Sequence, residues 1–192
     1  ARTMRAAMDK LVSWLGLALA AVLLVAGILL SWGHNFIGTE VHDQLAAQKI
    51  FFPPADSKAV QGDQFAPMRQ YGGQQLTTGA QAEVYANNFI AVHLEEVAGG
   101  KTYAELSTLA QANPQDTKLA GQVATMFKGE TLRGLLLNAY AFGTMGTIAG
   151  IAAIGAYVAA GVMLILALLG FWHAGRQEPT RPQTREREHS LA

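Results

Sequence analysis

The chain has 192 residues, of which 51% are hydrophobic and only 15% charged, so it is more apolar than an average soluble domain. Its 14 basic residues balance its 14 acidic ones, and this overall charge gives no indication of a nucleic-acid partner. The sequence contains no cysteine, which excludes disulfides and thiolate metal sites.

The first predicted element is a membrane span over residues 11–32, preceded by a short N-terminal segment, residues 1–10. No charged residue occurs between Leu11 and Trp32, and about 20 such residues cross a hydrocarbon core. A cleavable signal peptide would have a shorter apolar region, of about 7–15 residues, followed by small residues at the cleavage site. Here the sequence LLSWGHNF follows instead. We therefore expect an uncleaved transmembrane helix.

Residues 33–146 are predicted to form a helical domain outside the membrane. Apolar residues continue at near-helical spacing beyond Trp32, which extends the first helix until the sequence FFPP at residues 51–54 ends it. Residues 51–78 are rich in proline, glycine and glutamine and are expected to be irregular. We expect the overshooting apolar segment LLLNAYAF to be covered either by this domain or by a partner protein. The residues expected to pack together are Leu135, Leu136, Leu137, Tyr140 and Phe142 against Phe36, Val41, Leu45, Val84 and Phe89.

Three further helices are indicated by their termini. A helix beginning near residue 79 is closed by Gly99 and Gly100. Thr102 and Glu105 have the spacing of a capping box, which opens the next helix. Asp116 or Thr117 can begin the last one, which runs toward the membrane.

The second membrane span is predicted over residues 147–172. Residues 134–172 contain no charge, which is about twice the length that one span requires, yet no polar turn divides them. The same helix is therefore expected to begin outside the membrane. Three tryptophans then fall at membrane interfaces, where indole rings are enriched: Trp14, Trp32 and Trp172. The polar tail, residues 173–192, has mixed charge and is predicted to be disordered.

Orientation follows from basic residues close to the spans. These residues lie before the first span and after the second: Arg2, Arg5, Lys10, Arg176 and Arg181. We therefore predict a plasma-membrane protein with both termini in the cytoplasm and the central domain extracytoplasmic.

Small residues form one stripe along each predicted span. Lipid tails are as apolar as leucine, so membrane helices associate by close packing at small residues. The predicted helix-packing interface consists of Gly143, Gly146, Gly150, Ala153 and Ala160 on the second span and Ser13, Gly16, Ala20 and Gly27 on the first. Gly146 and Gly150 have G-x-x-x-G spacing. These stripes could pack against another helix of the same chain, a second copy of the chain or another protein.

The sequence gives no catalytic or cofactor-binding constellation. Neither a nucleophile elbow nor a phosphate or dinucleotide fingerprint occurs. A metal hypothesis would use His34, His42 and His93, the last with Glu96 at i+3, but no H-x-x-x-H or H-E-x-x-H pattern accompanies them. Solvated helix faces are the favoured interpretation of these histidines, so no metal and no cofactor is predicted.

The segment EVAGGKTYAEL, residues 96–106, together with the two-span layout over residues 11–172, resembles a group of actinobacterial two-span membrane proteins. Such proteins are often labelled aromatic ring-opening dioxygenases. That label would require iron ligands, for which the sequence shows no identifiable constellation. The resemblance implies an extracytoplasmic helical domain carried between two spans.

The predicted fold class is thus an all-α membrane protein whose two antiparallel transmembrane helices extend outward into a small helical bundle. The leading functional hypothesis is a non-enzymatic accessory or scaffold subunit of a larger envelope or respiratory membrane complex. Its partners would be other membrane subunits and lipids, with a homo-oligomer also possible and no nucleic acid. The alternatives are an envelope protein that binds a lipid or another hydrophobic ligand between its extended helices, and a metal-binding membrane protein.

Overall fold

A computed structural model describes residues 1–177, and over that range the chain is helical and contains no strand. The helices are α1 (Arg2–Ala47), α2 (Ala66–Arg69), α3 (Gly79–Tyr85), α4 (Ala91–Ala98), α5 (Tyr103–Ala112) and α6 (Thr117–Gln177). A π-helical turn, Ala86–Ile90, joins α3 to α4. Helices α1 and α6 are each long and apolar enough to cross a membrane. An all-helical chain with two such helices was predicted, and at this level the prediction is confirmed.

Local sequence signals account for most helix ends. Gly99 adopts the left-handed conformation, with φ of 59°, directly after α4. The hydroxyl of Thr102 accepts a hydrogen bond from the backbone N–H of Glu105, whose carboxylate accepts one from the N–H of Thr102, and this capping box opens α5. Asp116 caps the start of α6 by accepting from the N–H of Leu119 at 2.9 Å.

The C-terminal end of α6 lies beyond the predicted end of the second span. α6 continues through Trp172 to Gln177, into the segment predicted to be a disordered tail. Arg176 lies over the ring of Trp172, 3.8 Å from its centroid, and this cation–π contact links residues one helical turn apart. The rest of the predicted tail, which includes Arg181 and His189, lies outside the described residues.

The chain divides into two compact units, and both long helices pass through both of them. Within the described residues, one unit comprises Ala1–Leu29 and residues 152–177, and the other is Leu30–Ile151. We call them the terminal unit and the central unit.

In the terminal unit, α1 and α6 contact each other at small residues and at one aromatic pair. The Trp14 and Phe171 rings meet edge to face, with centroids 5.4 Å apart. The side chain of Ser13 contacts Gly170. Most large apolar side chains of this unit are exposed, which is the pattern expected of surfaces that face lipid rather than water.

The central unit has two hydrophobic clusters. The first contains ten buried residues, half of which come from the segment predicted to be irregular: Phe52, Val60, Phe65, Met68 and Leu76. That segment is indeed mostly non-helical, with an isolated bridge between Phe51 and Gln75, but it folds inward and supplies much of the core. The second cluster consists of Leu94, Ala98, Leu106 and Met126, which join α4, α5 and α6.

The π-helical turn lies between the two clusters. A π turn closes its hydrogen bonds from residue i to i+5, so it holds one residue more than an α-helical turn. The side chains that follow are therefore rotated by about 100° from the positions that a regular helix would give them. Ala82, Val84 and Ala86 point into the first cluster, whereas Leu94 and Ala98 point into the second.

The expected burial of the overshooting apolar segment is only partly correct. Leu136 is buried in the first cluster, and Leu137 packs against it. Leu135 and Phe142, in contrast, are 61% and 55% exposed, and Phe36 on α1 is 52% exposed. Adjacent residues of a helix point in different directions, so the core contacts only one side of α6 and leaves the other uncovered.

Candidate functional site

The nine predicted interface residues are all buried or half-buried, and the six that belong to the terminal unit include two close contacts. A Cβ atom added at Gly16 would lie 3.5 Å from the Cβ of Ala167, an ordinary van der Waals contact. A Cβ at Gly27 would lie 2.8 Å from Cε1 of Tyr157, which leaves no space for a side chain there. The remaining four are buried in the same unit: Ser13, Ala20, Ala153 and Ala160. By contrast, Ile148, Ile151, Val158, Val162, Ile165 and Leu169 on α6 are exposed.

In the central unit, the two glycines of the G-x-x-x-G pair pack closely against two side chains of α1. A Cβ at Gly146 would lie 2.9 Å from Cγ2 of Ile37, and a Cβ at Gly150 would lie 2.7 Å from Nδ1 of His34. The His34 ring also donates from Nδ1 to the carbonyl of Gly146 at 2.6 Å. Since a carbonyl can only accept, Nδ1 carries the proton in this contact. Because these glycines have no side chains, the imidazole can approach the backbone of α6 closely enough to form this hydrogen bond.

Gly143, the remaining interface residue, contacts α3 instead of α1. A Cβ at Gly143 would lie 3.4 Å from Cα of Gly79, the first residue of α3. A Cβ at Gly79 would in turn lie 3.1 Å from the carbonyl oxygen of Ala139. The two backbones meet without an intervening side chain. The sequence pattern placed Gly143 on a membrane-helix stripe, and nothing in it indicated a contact with α3.

The three histidines of the metal hypothesis have separate surroundings. His34 contacts Gly146, as described above. His42 lies 3.2 Å from the carboxylate of its neighbour Asp43. His93 donates to the carbonyl of Phe89 at 2.7 Å, and its ring lies against the Phe89 ring. Within residues 1–177, no three side chains of the histidine or carboxylate type form a group that could hold a metal ion.

One polar cluster connects the π-helical turn to α6. Arg133 donates to the amide oxygen of Asn87 at 2.9 Å and to the carboxylate of Glu130 at 3.3 Å. The amide nitrogen of Asn87 donates to Glu83. This polar cluster holds the π turn against α6.

Tyr85 directly precedes the π turn in the sequence. Burial raises the pKa of its hydroxyl above the ordinary value of 10.0, so this phenol stays neutral in the core.

A groove lined mainly by hydrophobic side chains lies between α1 and α6 in the central unit. We call it the apolar groove. Its volume is about 560 Å³. Most of its walls are hydrophobic side chains, among them Ile37, Val41 and Leu45 on α1 and Leu132, Leu135 and Phe142 on α6. No segment of the described chain fills it. The sequence indicated these apolar residues but left open whether the domain itself or a partner covers them.

Two exposed aromatic rings, here called the aromatic patch, mark a second surface of the central unit. Tyr103 at the start of α5 and Phe127 on α6 lie with ring centroids 5.8 Å apart. Phe127 is 57% exposed and Tyr103 is 37% exposed. Leu106 of α5 and Met126 of α6 are buried in the second hydrophobic cluster. The two rings thus belong to helices that this cluster joins.

We compared the chain with protein-family models, with curated proteins and with solved structures, and none of the three comparisons gave a match.

Proposed function

We propose that this chain is a non-enzymatic accessory or scaffold subunit of a larger membrane protein complex, held by two antiparallel transmembrane helices. α1 and α6 are long and apolar enough to cross a membrane. Their contacts support the antiparallel arrangement, because Ser13 and Gly16 meet Gly170 and Ala167. The central unit would then form a helical domain carried outside the membrane.

The observation that carries the scaffold role is the aromatic patch. Exposed tyrosine and phenylalanine are enriched in protein interfaces, because they bury a large area at a small cost in side-chain entropy. Here the two rings lie on α5 and α6, which the second hydrophobic cluster joins, and the capping box at Thr102 fixes the start of the helix that carries Tyr103. A rigid aromatic surface of this kind fits a protein partner.

The small-residue stripes have a different role in this proposal. Their members on α1 and α6 are occupied by contacts within the chain, such as Gly27 with Tyr157 and Gly150 with His34. They would hold the two spans together, which leaves partner binding to the exposed surfaces.

The test is purification of the tagged full-length chain from its native membrane in a mild detergent, followed by identification of the proteins that migrate with it. We expect membrane proteins in fixed ratio to the tagged chain. The double variant Leu109→Gln/Phe127→Gln changes one exposed apolar residue on each of α5 and α6, and Phe127 belongs to the aromatic patch. This variant should lose the co-migrating proteins.

The matched control is Leu135→Gln/Phe142→Gln, which changes the same residue types, also exposed, but in the apolar groove. It should retain the partners. Recovery of the unmodified chain as a monomer, or only with copies of itself, would contradict the scaffold proposal.

A further inference from the structure

We propose that the apolar groove binds the acyl chain of a membrane lipid. This inference rests on the membrane placement in the proposed function, but it does not depend on a protein partner. Three features of the groove carry it: its continuity with the predicted membrane surface, its size and the chemistry of its lining.

The groove begins where the predicted spans end. Trp32, the last residue of the first predicted span, stacks on Phe36, with ring centroids 5.4 Å apart and planes inclined by only 14°. Phe36 lines the groove. On α6, Met145 also lines it, two residues before the second predicted span begins. Tryptophan is enriched at the membrane interface, so the groove opens at the level where lipid headgroups meet acyl chains.

The size of the groove suits an acyl chain. The lining on α6 extends from Leu132 to Met145, which corresponds to about 20 Å at 1.5 Å per residue. The volume of about 560 Å³ lies within the range of about 300–1,000 Å³ that is typical of sites for small ligands. A hydrocarbon chain can lie along this length.

The polar residues of the lining form one edge. Glu40 and Gln44 are four residues apart on α1 and therefore share one side of that helix, and Gln48 follows directly after its last residue, Ala47. Among the residues that line the groove, Glu40 is the only ionisable one, and no basic side chain is present to bind a phosphate. The groove should therefore recognise the hydrocarbon chain and leave the headgroup near Trp32.

Photo-crosslinking tests this inference. The full-length chain is reconstituted into phosphatidylcholine vesicles containing a small fraction of phosphatidylcholine with a diazirine at the end of one acyl chain. After irradiation, the modified residues are mapped by mass spectrometry. We expect crosslinks within residues 36–50 and 132–145, in addition to those within the two predicted spans, which serve as an internal reference.

The variant Leu135→Gln/Phe142→Gln makes two exposed groove residues polar, and we expect it to lower crosslinking in the groove about tenfold without changing crosslinking in the spans. The matched control Leu109→Gln/Phe127→Gln should leave both unchanged. Helical circular dichroism equal to that of the unmodified chain verifies folding of each variant.

Each alternative outcome is distinguishable. Absence of crosslinks in the spans would contradict the membrane placement itself. Crosslinks in the spans but none in the groove, or equal groove crosslinking in Leu135→Gln/Phe142→Gln, would overturn the lipid inference alone. Crosslinks from the groove to another polypeptide in native membranes, with none to lipid, would overturn it in favour of a partner helix.

Discussion

At the residue scale, the contact between His34 and α6 shows how a glycine can admit a polar ring to a helix backbone. The ring donates to the Gly146 carbonyl, and the space beside it exists because Gly150 has no side chain. The two groups depend on each other, so their contributions to stability should not be additive.

Gly150→Ala should destabilise the protein by about 1–2 kcal/mol, because the new methyl group displaces the His34 ring from its acceptor. In a His34→Ala background the same substitution should be neutral or stabilising, since the ring is absent and alanine favours helix. The measurement is the free energy of unfolding in detergent for the four members of the cycle.

Gly155→Ala provides the control for this cycle. A Cβ at Gly155 meets no other atom within 4 Å, so the substitution should not destabilise either background. Equal effects of Gly150→Ala with and without His34 would refute the proposed dependence between the two residues.

At the element scale, the two long helices depend on contacts at small residues. The short distance between positions 16 and 167 is suited to a covalent test, because disulfides join Cβ atoms about 3.5–4.5 Å apart. A Cβ at Gly16 would lie 3.5 Å from that of Ala167. The natural chain has no cysteine, so an introduced pair has no competing thiol.

Gly16→Cys/Ala167→Cys should form an intramolecular disulfide on mild oxidation, detected by altered gel mobility and by linkage of two protease fragments. The control pair is Gly16→Cys/Gly161→Cys, because Gly161 faces open space and has no atom of α1 within 4 Å of its Cβ position. If both pairs react equally, or if only dimers form, the antiparallel contact is wrong.

The helix termini were predictable because each depends on a few neighbouring residues. Gly99, Thr102 and Asp116 act through hydrogen bonds and backbone angles that a short sequence segment determines. Thr78 and Gln81 form a second capping box of the same kind at α3. The π turn at residues 86–90 has no such local signal. The π turn depends instead on contacts between residues that are distant in sequence. These contacts are its packing on the two hydrophobic clusters and the hydrogen bond from Arg133 to Asn87.

At the scale of the whole molecule, hydrophobicity predicted two long apolar helices but not the arrangement of the core. The segment containing Phe52 and Met68 lacks a helical or strand period, so its inward folding could not be inferred. For the same reason, the sequence could not show which apolar residues of α1 and α6 the domain itself leaves uncovered. The positions opposite Gly146 and Gly150 were also beyond prediction, because a small-residue stripe indicates close packing without identifying its partner.

The predicted orientation can be tested with introduced cysteines at Lys101 and Arg2, both of which are exposed. A membrane-impermeant maleimide added to intact cells should label Lys101→Cys but not Arg2→Cys, because basic residues next to the spans retain the termini in the cytoplasm. Permeabilised cells, in which both should react, provide the control. Labelling of Arg2→Cys alone in intact cells would show the opposite orientation.

The π-helical turn connects the two hydrophobic clusters of the central unit. Ile90, at its end, packs against both of them. The first cluster shares Leu45 and Leu136 with the apolar groove, whereas the second joins α4, α5 and α6. A side chain shared in this way couples the stabilities of the two clusters, so a cavity created at position 90 would weaken both at once. Local unfolding of the central unit should accordingly open the two clusters together rather than one by one.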